Sequence, residues 1–254
     1  MSYKKFYEKQ SDIFQIYIKN TDQKEILVKN IINKLSSLFE FDKNKDFVFT
    51  DIGAGNGKVT IPVIDFLTDK AKLTCNIIEP SDLIDVFKKN CNAKNINYFQ
   101  NKIDDIKIPK SDFILASHLL VYLDNYQEAI KKIYKALNKN GVALFVKNNS
   151  NTDDLRLKIM LGRNSTNTPT SEIIKFINTQ KLKLENETIS SNIDTSGCID
   201  LNEDGKAIIS FFCHKPFAEL TAKEIKDFQN AIKKLADKSN KLTKREDYIW
   251  LYKK

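Results

Sequence analysis

The sequence predicts an α/β protein with a doubly wound, mostly parallel sheet covered by helices on both faces. Three observations carry that expectation. Short apolar runs alternate with segments of three- and four-residue apolar spacing across residues 41–150. The first run opens onto a turn, "DIGAGNG", that holds three of the chain's seven glycines, Gly53, Gly55 and Gly57. No internal repeat or low-complexity linker breaks the alternation. Strands that alternate with helices pair in parallel, because each crossover lays a helix on the sheet.

Apolar residues at helical spacing, Phe14, Tyr17, Ile26, Leu27, Ile31 and Leu35, make residues 1–40 helical. "DFVFTD" is a short buried strand, and "KVTIPVIDFLTDK" is a helix whose Pro62 is tolerated only near its first turns. "LTCNIIEP" is a second strand, followed by a helix that Ser81 would cap. "INYFQNK" and "SDFILASH" are the third and fourth strands. A helix on Ala129, Ile130, Ile133 and Leu137 should stop at Asn140-Gly141, before a fifth strand, "GVALFVKN". Beyond Ser150 the alternation becomes irregular. "TDDLRLKIMLG", "TSEIIKFINTQK" and "TAKEIKDFQNAIKKLADK" read as helices, "LKLENETIS" and "DYIWLYKK" as strands, with Trp250 in the core. Residues 1–254 are expected to form one domain: a helical cap (1–40), a core (41–150) and a completion of the sheet (151–254).

A composition of 41% hydrophobic and 29% charged residues is that of a soluble globular protein. No apolar run reaches membrane-spanning length, and "MSYKKFYEKQ" lacks the marks of a signal peptide, so a cytoplasmic protein is expected. Cys75, Cys91, Cys198 and Cys213 show no metal-ligand spacing and read as reduced, structural thiols. A net charge of +8 invites a nucleic-acid reading. Against it, only Arg156, Arg163 and Arg245 are arginines, and the lysines are scattered, as on a solvated surface.

A glycine turn between a first strand and a first helix lets backbone approach a ligand at the carboxyl edge of the sheet. A phosphate-binding loop needs GxxxxGK followed by Ser or Thr, but Ile52 stands five before Gly57 and Val59 follows Lys58. A dinucleotide fingerprint needs a third small residue where Lys58 stands. Asp51 to Gly57 instead resembles the first motif of class I S-adenosylmethionine-dependent methyltransferases, whose fold is Rossmann-like. The resemblance implies that Gly53, Gly55 and Gly57 shape a loop against the methionine part of that cofactor, with Asp51 near its ammonium. Glu79, at the end of the second strand, suits the ribose hydroxyls, by the logic that places an acidic residue on a dinucleotide ribose. Ile103 and Asp104 would flank the adenine. No metal is implied, and the product would be S-adenosylhomocysteine.

Over nearly the whole chain the sequence also resembles the histamine N-methyltransferases, through "EPS" at Glu79, "DFILASHLLVYLDN" at Asp112 and "SSNIDTSGCIDLNEDG" at Ser190. That resemblance implies cofactor contact at Ser117, and puts His118 where the family uses a Gln against the acceptor ring. It puts Phe14 and Tyr17 at aromatic positions of the cap that line the acceptor pocket. Because no linker sets residues 151–254 apart, they are expected to add acceptor-side elements as well as to complete the sheet. The family's acceptor-binding Glu becomes Gln23, beside Asp22. Its tryptophans after the fifth strand are absent, and its Asn before the last strand falls at Lys244 or Arg245. The acceptor pocket is rewritten, so histamine is not implied. "DLNEDG" opens like a calcium loop, but the closing Glu would fall at Phe211, so a solvent-exposed turn is expected.

These readings make the chain a monomeric enzyme that methylates a nitrogen of a small amine or imidazole-like acceptor, without membrane or nucleic-acid partners. Proximity and orientation would supply most of the rate, roughly 7–11 kcal/mol for well-aligned reactants. His118 would orient the acceptor or take up its proton. Tyr122 would line the pocket or pack in the next helix, and His214 is structural. A rival enzyme would methylate protein or RNA, supported only by the basic surface. A rival of another class is a non-catalytic, lysine-rich nucleic-acid-binding module that keeps the fold. The Asn/Asp-Pro-Pro-aromatic signature of enzymes that modify DNA bases is not present in "SHLLVY".

Overall fold

A computed structural model describes residues 11–163 and 168–254. The expected helix over residues 1–10 lies outside them. The chain forms two compact units. The larger comprises Lys24–Asn148, Thr168–Thr188 and Glu246–Lys254; the smaller comprises Met1–Gln23, Asn149–Asn167 and Ile189–Arg245.

The helical start divides into α1 (Ser11–Lys19) and α2 (Gln23–Leu38). β1 (Asp46–Ile52), β2 (Lys72–Ile78), β3 (Ile96–Phe99) and β4 (Ser111–Ser117) come next, with α3 (Thr60–Thr68) and α4 (Leu83–Asn90) between them. Pro62 is the third residue of α3, where its missing N–H costs nothing. After β4 the chain forms α5 (Tyr126–Ala136), β5 (Leu137–Asn148), α6 (Asp153–Met160), α7 (Thr170–Thr179) and β6 (Lys183–Asp194). It continues through α8 (Ser196–Asp200), α9 (Glu203–Cys213), α10 (Ala222–Leu235) and β7 (Lys241–Tyr252).

The strands form a seven-stranded sheet in the order β3-β2-β1-β4-β5-β7-β6. β1 to β5 pair in parallel, whereas β7 runs antiparallel to β5, from Val142↔Tyr252 to Asn148↔Glu246. Strand order reverses between β1 and β4, and such a switch point opens a crevice at the strands' carboxyl ends.

In the larger unit, Ile52, Ile114, Ala116, Phe145, Ile249 and Leu251 form one sheet face, buried under Ala129, Ile130 and Ile133 of α5 and Ile173 and Ile177 of α7. Alternation sends Phe49, Phe113 and Trp250 to the other face. Phe49 and Phe113 stack there at 5.2 Å, and Trp250 is 1% exposed. Lys34 of α2 lies 5.8 Å over the Trp250 ring, so α2 covers this second face.

The smaller unit packs Tyr17 and Ile18 of α1 with Ile208, Phe212, Phe228 and Ile232 of α9 and α10. Thr221 and Glu224 close a capping box at the start of α10.

Three local expectations are corrected. The α5 helix stops at Ala136, not at Asn140-Gly141: Leu137 is fully buried and pairs with Ser111, and the ladder shifts register between Ser111 and Phe113. Asp82, not Ser81, is the residue flanking α4; Ser81 stands one residue earlier, its hydroxyl donating to Glu79 at 2.6 Å and accepting the Leu83 N–H at 3.4 Å. The exposed turn expected over "DLNEDG" is confined to Leu201 and Asn202, and Glu203, Asp204 and Gly205 already belong to α9. Asn202 caps that helix by accepting the Gly205 N–H at 2.8 Å, and a Cβ on buried Gly205 would lie 1.9 Å from the Gly197 carbonyl oxygen.

Candidate active site

The carboxyl ends of β1, β2 and β4, with the part of β7 that lies beside the end of β5, gather the polar residues of the larger unit. Asp51, on β1, is 2% exposed and accepts a hydrogen bond from the Thr60 hydroxyl at the start of α3. Its Oδ1 is buried without a hydrogen-bond partner. Burial pushes this carboxyl up to about 7, opposed by the Thr60 bond and helped by the charge of Glu79.

The turn after β1 carries Gly53, Gly55 and Gly57 at φ 79°, 56° and 82°, a region costly for other residues. These glycines serve different ends. A Cβ on Gly55 would meet only the Leu83 side chain, at 4.0 Å, and one on Gly53 would meet Leu119 at 3.4 Å, so each would fit with ordinary van der Waals contact and it is the positive φ that calls for glycine. A Cβ on Gly57 would come within 2.8 Å of Phe87 and 2.9 Å of Ile61, so Gly57 lets the turn pack on α3 and α4.

Glu79 holds the turn in place. Its Oε2 accepts the Gly55 N–H at 2.9 Å, and its Oε1 accepts the N–H and hydroxyl of Ser81 at 2.9 and 2.6 Å. Ile103 and Asp104 open a short 3-10 turn; Ile103 is a core residue at 3% exposure, whereas Asp104 faces solvent.

Ser117 ends β4, and His118 is the next residue, at φ 55°, its N–H donating to the Val146 carbonyl at 2.8 Å. The Nε2 of His118 lies 2.7 Å from Oε1 of Glu246 on β7. The Glu246 side chain is 3% exposed and that of His118 is 32% exposed. Lys24, in the first turn of α2, completes the group: burial pulls its ammonium down to about 8, Lys58 adds to the effect, and Glu246 and Asp51 oppose it. Neither Glu246 nor Lys24 was evident from the sequence. Glu246 stands one residue beyond the Lys244–Arg245 pair that the sequence comparison singled out, and in a strand one residue reverses the face. Lys24 adjoins Gln23 and Asp22, at the place that the family resemblance gives to an acidic group.

Tyr122 closes the turn after His118 and is 71% exposed. Phe14, Tyr17 and Gln23 belong to the smaller unit. There Tyr17 stacks on Phe211 with ring centroids 3.9 Å apart, Phe14 lies 6.1 Å from the same ring, and Gln23 is 6% exposed. His214, also in that unit, ends α9 at φ 48°, and burial pushes its imidazole down to about 4. Among the described residues, no cluster of His, Cys, Asp and Glu is arranged to hold a metal ion, and no helix is long and apolar enough to cross a membrane.

The methyltransferase domain family matches residues 25–189. The chain belongs to that family. This methyltransferase shares its fold with the YcgJ protein from Bacillus subtilis, at 12% identity and a TM-score of 0.58, over 89% of this chain and 97% of that one. It shares it also with the plantazolicin methyltransferase BpumL, whose structure is in complex with SAH, at 14% identity and a TM-score of 0.56, over 96% and 90% of the two chains. No curated protein matches the methyltransferase. Its mixed, mostly parallel sheet flanked by helices is the Rossmann-like class I architecture, and it is an S-adenosylmethionine-dependent enzyme.

Proposed function

We propose that this methyltransferase moves a methyl group to a nitrogen of a small amine or imidazole-like acceptor, with His118 taking up the acceptor's proton. The observation that carries the reading is His118 itself, an imidazole fixed at the carboxyl end of a central strand, 2.7 Å from a buried carboxylate. A nitrogen acceptor attacks through a free lone pair and sheds a proton, and an imidazole nitrogen that carries a lone pair can take that proton. The histamine N-methyltransferase resemblance supports nitrogen as the accepting atom.

Two observations support the cofactor side. Asp51 carries a buried carboxylate oxygen without a partner, which suits an ammonium group, and Gly53 and Gly55, at positive φ and without side chains, keep the turn's backbone bare. Bound there, S-adenosylmethionine supplies an electrophilic methyl group and leaves as a thioether. Asp51 would receive its ammonium, Glu79 its ribose hydroxyls, and Ile103, Asp104 and Ser117 the rest of the nucleoside. Glu79 retains accepting capacity for this, since a carboxylate offers about four lone-pair directions and three are used. Gly57 would act through the packing of the turn. Tyr122 would border the acceptor beside His118. For Phe14, Tyr17 and Gln23 an acceptor-side role rests on the resemblance alone.

Calorimetric titration with S-adenosylmethionine, with NADH and ATP as controls, tests the cofactor assignment. A panel of amines, imidazoles, phenols and a lysine-containing peptide, followed by mass spectrometry, then tests the acceptor. Methylation confined to nitrogen of small molecules is expected; transfer to carbon or oxygen, or to the peptide alone, would overturn the proposal.

A further inference from the structure

We infer that Glu246 is a positioning residue, whose carboxylate holds the His118 ring in one tautomer and stabilises the imidazolium formed when that ring accepts the acceptor's proton. The inference rests on the proposed role of His118 and adds a residue that neither the glycine motif nor the family resemblance points to.

His118 is tethered through both backbone and ring. Its backbone N–H is hydrogen-bonded to the Val146 carbonyl, and its Nε2 lies in ion-pair contact with Oε1 of Glu246. A carboxylate only accepts, so at 2.7 Å the ring nitrogen facing it carries the proton, and Nδ1 is left with the lone pair. The left-handed backbone of His118, at φ 55°, is uncommon for any residue other than glycine, and its N–H bond to Val146 helps to maintain it. Glu246 is itself held. It sits on β7 opposite Asn148, with a side chain almost wholly buried, so an ionised carboxylate there requires a cationic or donating partner.

Other charges face the pair from each neighbouring element. Lys24 of α2 interacts with Glu246 and with Asp51 of β1, and Lys58 with Lys24. Tyr248, two residues along β7, has its phenol pushed up by burial and by Glu246 and Glu187. His118 and Lys24 are thus two bases that share one carboxylate. In the transfer, the acceptor nitrogen forms its bond to the methyl carbon as the sulfur–carbon bond breaks. The proton leaving that nitrogen passes to Nδ1 of His118. The resulting imidazolium keeps its Nε2–H on Glu246 and returns the extra proton to water at its exposed edge. The logic is that of any imidazole whose tautomer is set by a carboxylate behind it.

The chain has two histidines, His118 and His214, so imidazole 15N spectra of the free enzyme separate into two sets, and His214→Asn assigns them. In the wild type the His118 set should show the Nε2–H tautomer. Glu246→Ala should move it towards a tautomer mixture. Glu246→Gln keeps an accepting oxygen and should hold the tautomer. With the acceptor returned by the screen, Glu246→Gln should lower kcat by roughly 10²-fold, the low end of what a proton-transfer group contributes. The KM for S-adenosylmethionine should stay within about twofold, since uniform binding is untouched. The acidic limb of the pH profile should move to lower pH, because a carboxylate favours the protonated ring. An unchanged tautomer in Glu246→Ala, or an unmoved limb in Glu246→Gln while His118→Asn is inactive, would overturn the inference and leave the function standing. An active His118→Asn would overturn both. Should Glu246→Ala not fold, Lys24→Met, which removes the cation competing for Glu246, should move the limb to higher pH; an unmoved limb there also overturns the inference.

Discussion

The Thr60 hydroxyl satisfies one oxygen of the buried Asp51 carboxylate and leaves the other, Oδ1, without a partner. A half-satisfied buried carboxylate is costly to ionise, and the carboxyl is accordingly pushed from 3.8 up to about 7. Its folded value lies above its unfolded one, so its contribution to stability is fully present below about pH 4 and is lost as pH rises through 7. Asp51→Asn should therefore melt less steeply between pH 5 and 8 than the wild type. Parallel slopes in thermal melts would contradict this.

The same carboxylate gives cofactor binding a proton signature. An ammonium beside Oδ1 favours the ionised form, so binding at pH 6.5 should release a fraction of a proton. Calorimetry in two buffers of different ionisation enthalpy reads this directly, and Asp51→Asn should abolish it. The variant should also bind at least roughly tenfold more weakly, the worth of one hydrogen bond between charged partners. Equal enthalpies in the two buffers would remove Asp51 from the ammonium position.

Gly55→Ala and Gly57→Ala should fail differently. Both force a side chain into the left-handed region, at about 1–2 kcal/mol. Only at Gly57 does the new Cβ also run into Phe87 and Ile61. Gly57→Ala should thus lower the melting temperature more, while Gly55→Ala should keep a near-native melt and lose cofactor affinity. Chemical denaturation paired with calorimetry separates the two, and equal stability losses would sink the distinction.

In the smaller unit, the imidazole of His214 is pushed from 6.5 down to about 4, chiefly by burial and then by Lys158 and Arg163. A depressed base stabilises the fold above about pH 6.5, and that contribution is lost as pH falls through 4. His214→Asn, whose side chain tolerates φ 48°, should melt at a higher temperature than the wild type at pH 4.5 relative to pH 7.5. A constant difference across that range would contradict the assignment.

Periodicity and special backbone made much of the larger unit legible in the sequence. β1 to β5 could be read because each is an apolar run bounded by turn residues, and the glycine turn because Gly53, Gly55 and Gly57 all occupy positive φ. α9 is not legible in the sequence because "AIISFFC", buried throughout and apolar apart from Ser210, gives neither a helical nor a strand period. At α4 the sequence places the cap one residue early, because Ser81 is the stronger capping type while the helix starts after Asp82, a displacement of the size usual at helix ends. Glu246 and Lys24 were missed for a different reason. Each meets its partners only after distant segments pair, Glu246 with His118 across 128 positions, and no local pattern encodes such a meeting.

β7 lies between β5 and β6 although it is the last strand in sequence. On the ribosome, β1 to β5 emerge long before residue 246, so the native partner of the β5 edge arrives only with β7. A carboxylate needed beside His118 therefore arrives with the closing strand. A nascent chain is denied that pairing until its sheet is finished, and partly made or carboxyl-truncated copies would lack it even where the glycine turn has already formed.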